Sequence, residues 1–359
     1  MLKLQELEAE KVKLKRDPYA YVRTVVMRSL LFKRDDYYKM LKMGFGEIAR
    51  FMQDSSYRKE INELAGKYSG ADLLELALNR NLAASFSKLM RVSSFELGLL
   101  IREYAKRKDI EDIKTILRGK FTNADEKIIL NSLTAAGTLS YGYLESLLKK
   151  ESVEQILREV EIFDSATLKR LISRFNEKNS LSEIENELDK KYYSHLIIFS
   201  QSLPKEGKLF RNFLLKEAET INMLTLFRLK KAKLKKEDIK NFLIPYGEKK
   251  RDAKLAELAD AEGIEQLSQS FTKTEYRDIV AKGAEEYKKS GSLIKLETDI
   301  YNHLLRQSTL LLHQHPLSID TILGYMFAKD IEVRNLKIII KGKQLGLSEQ
   351  FIESQLVFE

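Results

Sequence analysis

Residues 109–120 read DIEDIKTILRGK, and two later stretches repeat the same arrangement of residue types. The second copy is ETINMLTLFRLK at 219–230, and the third is EVRNLKIIIKGK at 332–343. Each copy opens with an acid, has Asp or Asn three residues later and closes on two bases. Apolar residues between them recur at i, i+3 and i+4, which predicts one buried face of a helix in each copy.

The two ends of each copy also carry helix signals. An acid at the start and bases at the end suit the helix dipole. Gly119 and Gly342 stand where a C-terminal glycine is common, which predicts that the first and third helices stop there. The second copy has Leu229 at this position, so its helix is expected to continue further.

Other landmarks recur at a nearly constant distance before the repeated stretch. Three long apolar-patterned segments precede the three copies and hold the matching acids Glu75, Glu187 and Glu297. The second and third of these segments also share a Tyr-x-His-Leu sequence, at 193–196 and 301–304. Self-similarity at a fixed period indicates repeated structural units, here of about 110 residues each.

The period predicts three helical repeat domains at 19–130, 131–242 and 243–359, after a charged N-terminal extension at 1–18. Three similar units turned successively by the same angle close into a pseudo-threefold cup or funnel, whereas an open α-solenoid is the alternative. We favour the cup, because this period is too long for the common solenoid repeats.

Composition limits the fold and the partners of the 359-residue chain. Four prolines, no cysteine and the absence of strand-like alternation predict an all-α protein with no disulfide scaffold and no zinc-finger pattern. The N-terminus is charged and no apolar run has membrane-spanning length, so we expect a soluble protein on the cytoplasmic side of the membrane. A net charge of +9 indicates an anionic partner: nucleic acid, a lipid surface or an acidic protein.

The residues also resemble a known family. The segment VRTVVMRSLLFKRDDYYKML at 22–41, the repeated helices and the closing NLKIIIKGKQLGL at 335–347 look like the C subunit of the archaeal-type (A- or V-type) ATP synthases, a relative of the d subunit of vacuolar ATPases. The resemblance extends from about Tyr19 to the C-terminus. Only the charged start, residues 1–16, differs from the pattern.

This resemblance implies a non-catalytic central-stalk subunit built as an all-helical funnel of three similar domains. Such a subunit sits on the membrane rotor ring, receives the central shaft and transmits torque for coupled proton or sodium transport and ATP synthesis. The implied partners are the ring subunits and the shaft subunits, with membrane association through the ring. A basic helical nucleic-acid-binding or scaffold protein is the alternative.

No enzyme site can be assembled from the sequence. There is no phosphate-binding glycine motif, and the isolated GFG at 44–46 is typical of a turn. The four histidines lack the converging ligands that a metal needs, and the sequence predicts structural roles for them. They are His195, His303, His313 and His315. We therefore expect no catalytic residue, cofactor or metal.

Candidate partner-contact residues come from the repeated frame and from the basic run RLKKAKLKK at 228–236. This run is either a solvated helix end or a positive rim that meets an acidic partner. Aromatic residues do not interleave with its bases, which argues against nucleic acid. We expect the frame positions to be equivalent in the three copies and some of them to face a central opening. The candidates are Asp109, Arg118, Glu219, Arg228, Lys230, Lys231, Lys233, Glu332 and Lys341.

Overall fold

The computed structural model describes residues 16–201, 203, 207–314 and 317–358. Over these residues the chain consists of α-helices and connections, without a β-strand. The all-α prediction is confirmed. No helix in this part of the chain is both long and apolar enough to cross a membrane.

Helix α1 (Pro18–Ser29) precedes three sets of six helices, in each of which three shorter helices are followed by two long ones and a short one. The first set is α2 (Arg34–Lys42), α3 (Phe45–Gln53), α4 (Arg58–Leu64), α5 (Gly70–Val92), α6 (Phe95–Phe121) and α7 (Glu126–Ser132). The second is α8 (Tyr141–Leu148), α9 (Val153–Val160), α10 (Ser165–Lys178), α11 (Ser182–Gln201), α12 (Lys208–Lys231) and α13 (Lys236–Asn241). The third is α14 (Lys249–Asp260), α15 (Gly263–Gln269), α16 (Arg277–Ser290), α17 (Ile294–Gln314), α18 (Ile319–Gln344) and α19 (Glu349–Ser354).

Each set therefore contains three shorter helices, a long helix, a signature helix that holds the repeated stretch, and a short closing helix. The predicted boundary after residue 130 falls inside α7, so a boundary between helices would come slightly later. The division into three domains and the funnel shape stay predictions.

Residues 18–42 form two helices rather than one continuous helix. The segment is divided into α1 and α2, because Lys33 is in an extended conformation (φ −93°, ψ 167°). The Asp36 carboxylate accepts a hydrogen bond from the Lys33 backbone N–H at 2.9 Å. This bond satisfies one of the free donors at a helix N-terminus and so favours a new helix start here.

All three signature helices end at the same position of the repeat. A left-handed residue follows each helix: Asn123 (φ 52°), Lys233 (φ 57°) and Gly346 (φ 66°). The next backbone N–H then bonds back to the carbonyl of Gly119, Leu229 and Gly342, at 2.9, 3.2 and 2.9 Å. This is the Schellman arrangement. The expected continuation of the middle helix is therefore wrong, as is the assignment of the helix stop to Gly119 and Gly342.

The two glycines instead allow their signature helices to pack closely against the closing helices. A Cβ atom on Gly119 would lie 2.3 Å from Ile129 of α7, and one on Gly342 would lie 2.5 Å from Ile352 of α19. Each glycine thus lets the closing helix approach the backbone of its signature helix. The glycine at this repeat position therefore marks a contact between a signature helix and its closing helix.

The Asp or Asn of each copy fastens the chain after the closing helix to the signature helix. Asp112 accepts hydrogen bonds from the backbone N–H groups of Thr134 and Ala135, both at 2.8 Å. In the other two copies the Asn side chain donates one hydrogen bond to a backbone carbonyl and accepts one from the N–H of the same residue. Asn222 bonds Ile244 in this way, and Asn335 bonds Val357. The same anchor therefore recurs three times.

The long and signature helices form a closed cycle of contacts. Around the cycle, α5 packs on α6, α6 on α11, α11 on α12, α12 on α17, α17 on α18 and α18 on α5. The signature helices are buried on most sides because each touches the long helix of its own set and that of the next set. The last contact joins the third set to the first and closes the ring.

Candidate partner-binding cavity

A cavity of about 670 Å³ lies between the three signature helices, with further lining from α5, α11 and α17. Its lining follows α18 from Phe327 to Lys341. At a rise of 1.5 Å per residue this corresponds to a depth of roughly 20 Å. The cavity is therefore deep enough to take the end of another protein chain.

Three side chains from one repeat position meet at the floor of the cavity. Arg107, Glu217 and Asp330 each stand two residues before the first acid of their copy. Arg107 Nη1 lies 2.6 Å from Glu217 Oε1, and its Nη2 contacts Asp330. Lys108 Nζ lies 2.9 Å from the other oxygen of Asp330. A base from one copy thus joins acids from the other two, and we call these three residues the floor triad.

The floor triad is desolvated, which shifts its ionisation. Burial alone would lower the pKa of Arg107, but Asp330 and Glu217 hold that pKa well above its ordinary value. Burial raises the pKa of Glu217, Arg107 opposes this shift and the nearby Asp330 adds to it. Arg107 is therefore the cation that allows two carboxylates to stay close together inside the protein.

An aromatic layer closes the cavity behind the floor triad. The buried Tyr104 and Phe213 rings meet edge to face at 5.9 Å, and Phe213 and Phe327 meet at 6.4 Å. At the other end the side chains of Arg228 and Lys341 are 53% and 54% exposed. The cavity is therefore closed near the middle of the signature helices and open at their C-terminal ends.

Bases outnumber acids among the residues that line the cavity, but each of these bases except Arg334 and Lys337 pairs with a described acid. Its charged lining residues are the bases Arg107, Lys108, Lys114, Arg228, Arg334, Lys337 and Lys341 and the acids Glu111, Asp189, Glu217 and Asp330. Arg334 lies over the Tyr301 ring at 4.4 Å. Lys337 is in no ion pair among the described residues. Burial and then Lys108 lower its pKa, and the charge of Glu111 opposes this shift. Positive charge on this side of α18 is thus poorly neutralised.

The rim carries three equivalent ion pairs that run around the ring. Each signature helix contributes a base near its end, and the long helix of the next set contributes the acid. The pairs are Arg118 with Glu185 (2.6 Å), Arg228 with Glu297 (2.6 Å), and Lys341 with Glu75 (2.5 Å). The match to Glu187 in the second copy is wrong by about half a helical turn, because Glu187 instead contacts Arg170 at 3.1 Å.

The opening acids of the repeat do not line the central cavity, and they do not share one environment. The buried Asp109 carboxylate accepts hydrogen bonds from the backbone N–H groups of Thr138 and Leu139. The buried Glu332 accepts from Tyr57 Oη and Lys329 Nζ, each at 2.7 Å. Among the predicted frame residues, the described structure therefore brings Arg228 and Lys341 to the cavity.

Glu219, the opening acid of the second copy, lies beside a separate cavity of about 260 Å³ that Arg251 and Lys254 also line. Burial raises its pKa, and the negative charge of Glu275 adds to this shift. The three opening acids are thus equivalent along their helices and different in what surrounds them.

The basic run is only partly on the surface. Lys230 is buried, and its Nζ donates a hydrogen bond to the Ala259 carbonyl at 2.7 Å. It therefore belongs to the packing of the third set, which corrects its assignment to a contact surface. Lys231 and Lys233 are exposed. A partner can reach these two lysines without local unfolding.

The histidines of the Tyr-x-His-Leu sequences lie next to acids. His195 Nε2 is 3.3 Å from Glu103, and His303 Nε2 is 3.2 Å from Glu275. His315 and the side chain of His313 lie outside the described residues. Within the described part of the chain, no three acids or histidines converge as a metal would require.

Comparison with known proteins shows the family of this chain. The family model of the ATP synthase (C/AC39) subunit matches residues 20–355. The chain belongs to this family. The resemblance predicted from the residues is thereby confirmed.

Curated relatives are similar over almost the whole chain. One from Methanosarcina acetivorans is 41% identical, with 94% of this chain and 92% of the relative covered. One from Methanosarcina mazei is 40% identical, with the same coverage. One from Halobacterium salinarum is 32% identical, with 94% and 97% covered. All three are named as the C subunit of an A-type ATP synthase.

Sequence reasoning missed the most central residues of this C/AC39-family chain, namely the floor triad together with Arg334 and Lys337. A signal was present, because the triad occupies one column of the repeat and carries opposite charges there. Opposite charges at equivalent positions can neutralise each other only where those positions meet. Opposite charges at this one repeat position were therefore the signal that the three signature helices meet there.

Proposed function

We propose that this protein is the non-catalytic central-stalk subunit of a rotary A/V-type ATP synthase. In this role it joins the central shaft to the membrane rotor ring and transmits torque between them. Its partners are then other subunits of the ATP synthase, and it is held at the cytoplasmic face of the membrane through the ring. Family membership along the chain supports this proposal.

The basic, one-ended cavity is the single observation that carries the shaft-binding part of the proposal. Its mouth lies among the C-terminal ends of the signature helices, and the two lining bases that are in no described ion pair, Arg334 and Lys337, lie on α18. An acidic helical end inserted there would meet Arg334 and Lys337 in a partly desolvated wall. Charge pairs in such a place favour correct docking and its specificity.

The closed ring of helices also suits a torque-bearing part. The rim ion pairs join each set to the next, and the floor triad joins all three sets at the centre. A packed interior has low compressibility, so a twist applied at the mouth would be transmitted with little internal deformation. Three unequal copies would also allow one adaptor to meet a ring and a shaft of different symmetry.

Reconstitution tests the coupling role. Vesicles holding the complete ATP synthase are compared with vesicles from which this protein has been omitted, and ATP-driven ion uptake is measured alongside ATP hydrolysis. We expect hydrolysis to continue while uptake is lost without the protein. Ion uptake at the full rate in its absence would show that the coupling role is wrong.

Charge reversal tests the cavity as the shaft site. Arg334→Glu with Lys337→Glu should weaken binding of the isolated shaft on the order of tenfold or more, and the loss should change with salt. The matched control is Lys59→Glu with Lys149→Glu, which makes the same change in net charge at exposed positions outside the cavity. Equal loss in both double variants would indicate a general charge effect and exclude the cavity as the specific site.

A further inference from the structure

The opening acid of the second signature helix differs from its two equivalents in what it binds. Asp109 accepts a hydrogen bond from the backbone N–H of Leu139 at 2.9 Å, and Glu332 accepts one from the backbone N–H of Phe32 at 2.6 Å. Among the described residues, Glu219 receives no hydrogen bond and forms no ion pair. A carboxylate that the chain satisfies in two copies therefore lacks a donor from the chain in the third.

The two backbone donors occupy equivalent places in the fold. Leu139 lies just before α8 and Phe32 just before α2, so each of these opening acids holds the segment that leads into the following set of the ring. Both donor residues also pack a large apolar side chain against the core. A connecting segment is thus held by two features together, a backbone N–H on the acid and an apolar side chain beside it.

In the second copy a different acid holds the connecting segment. The segment that leads into α14 donates the N–H groups of Tyr246 and Glu248 to Asp252, at 2.7 and 3.1 Å. Asp252 belongs to the first turn of α14, so these bonds stay within one stretch of chain. Glu219 is left without the donor that its equivalents have, and the separate cavity of about 260 Å³ lies beside it.

This cavity, which we call the Glu219 cavity, offers the same two features as the other sets. Its acceptor is Glu219, and its apolar lining residues are Met223, Leu226, Leu255, Leu258 and Phe271. One water molecule occupies about 30 Å³, so the cavity has room for an apolar side chain and the backbone next to it.

The charges around the Glu219 cavity are mixed, which favours an uncharged donor. Burial and then Glu275 raise the pKa of Glu219, whereas the positive charges of Arg251 and Lys254 oppose this shift. Arg251 is itself paired with Glu248 at 3.1 Å, and Lys254 is exposed. A cationic ligand would meet these two bases at the cavity, but a backbone N–H carries no net charge. The chemistry therefore selects a peptide rather than an amine.

We propose that the Glu219 cavity binds a peptide segment of a partner protein, which donates a backbone N–H to Glu219 and places a large apolar side chain among the apolar lining residues. A hydrogen bond to a carboxylate is shorter and stronger than one between neutral groups, so a single N–H contributes to recognition. The partner thus supplies at the second copy what the chain itself supplies at the other two.

The Glu219 cavity is separate from the central cavity. Glu217 lines the central cavity, and Glu219, two residues later, is turned by about 200° around α12. The two cavities therefore lie on opposite faces of one signature helix. This contact goes beyond the proposed function, since it requires neither the shaft nor the ring.

A peptide copied from the first copy of the repeat tests the site on the full chain. The probe is acetyl-Ala-Gly-Thr-Leu-Ser-amide, the sequence of residues 136–140, and its binding is measured by saturation-transfer NMR. We expect a Kd on the order of 1 mM, because a short flexible peptide must be ordered on binding. Glu219→Gln should weaken binding on the order of tenfold, because a neutral acceptor replaces a charged one.

Two controls isolate the N–H group and the carboxylate. A peptide with N-methyl-leucine in place of leucine keeps the side chain but lacks the donor, and it should bind on the order of tenfold more weakly than the parent. Glu257→Gln makes the same charge change as Glu219→Gln at an exposed position of α14 outside the cavity lining. This variant should bind the parent peptide like the wild type.

Urea unfolding shows whether the chain already satisfies Glu219. Glu219→Gln should leave the unfolding midpoint unchanged or raise it, because burial disfavours the charge and no described residue binds the carboxylate. Glu332→Gln should lower the midpoint, because the buried Lys329 loses the charged partner that lies 2.7 Å away. The two variants make the same chemical change at equivalent positions of the repeat.

Four outcomes would overturn the peptide site. Three concern binding: no binding of the parent peptide, equal binding of the parent and N-methylated peptides, and equal binding to the wild type and Glu219→Gln. The fourth is a clear fall in the unfolding midpoint of Glu219→Gln, which would show that the carboxylate has a partner within the chain. Ion uptake by the reconstituted synthase is a separate measurement, so failure of this proposal is distinguishable from failure of the coupling role.

Discussion

Removing the cation of the floor triad should destabilise the whole ring. Arg107→Met leaves Glu217 and Asp330 close together in a buried site, with only Lys108 nearby. Breaking a buried ion pair by removing one partner costs about 3–5 kcal/mol. The unfolding entropy of a chain of this length is about 0.75 kcal/mol/K, so 4 kcal/mol corresponds to a fall in Tm of about 5 °C.

Urea unfolding followed by far-UV circular dichroism measures this loss, and two further variants complete the design. Arg107→Met with Glu217→Gln leaves the Asp330–Lys108 pair and no excess acid, so it should recover most of the stability. Arg118→Met removes an ion pair whose arginine side chain is 60% exposed, and it should cost no more than about 1 kcal/mol.

The stability loss in Arg107→Met should depend on pH. A buried carboxyl whose folded-state pKa is raised stabilises the fold at low pH, and that stability is lost as the pH rises through the raised pKa. The pKa of Glu217 is already raised, and Arg107 opposes the shift. The gap between Arg107→Met and the wild type should therefore widen from acidic to neutral pH. The floor triad would not be a main source of stability if Arg107→Met lowered the free energy of unfolding by less than about 1 kcal/mol. The same conclusion would follow if the double variant were no more stable than Arg107→Met.

Three further predictions concern the repeat frame. Gly342→Ala should lower the free energy of unfolding in urea by about 1–3 kcal/mol, because its Cβ would lie 2.5 Å from Ile352. The control Gly46→Ala, whose Cβ would meet no atom within 4 Å, should be neutral or stabilising. Equal effects of the two substitutions would contradict the packing role of Gly342. Burial raises the pKa of Asp112 to about 6, so the free energy of unfolding should fall as the pH rises through that value. Asp112→Asn should flatten this part of the plot of stability against pH. An unchanged plot would show that other groups cause the slope. Arg228→Ala should change the free energy of unfolding by no more than about 1 kcal/mol, because this rim arginine is half exposed, and a much larger loss would show that the rim pairs hold the ring together.

The sequence alone determined the features that depend on local chemistry. Helical spacing of apolar residues predicted an all-α chain, and the recurrence of acid, Asp or Asn, and bases revealed three signature helices. The charges that suit the helix dipole and the recurring Asp or Asn position could be found without coordinates, since both are read along one helix. Even the misassigned Gly342 was a true signal of a fixed spacing within the repeat, although it marked packing against the closing helix.

Tertiary structure decided which equivalent residues meet. The packing of one set against the next brings Arg107, Glu217 and Asp330 together, selects Glu185 over Glu187, and buries Lys230 while leaving Lys233 exposed. A shift of two residues turns a side chain by about 200° around its helix, so the spacing along the chain cannot settle such contacts. Whether a charge forms the floor of a cavity or lies on an open rim therefore depends on the packing angle between helices, which no local pattern encodes.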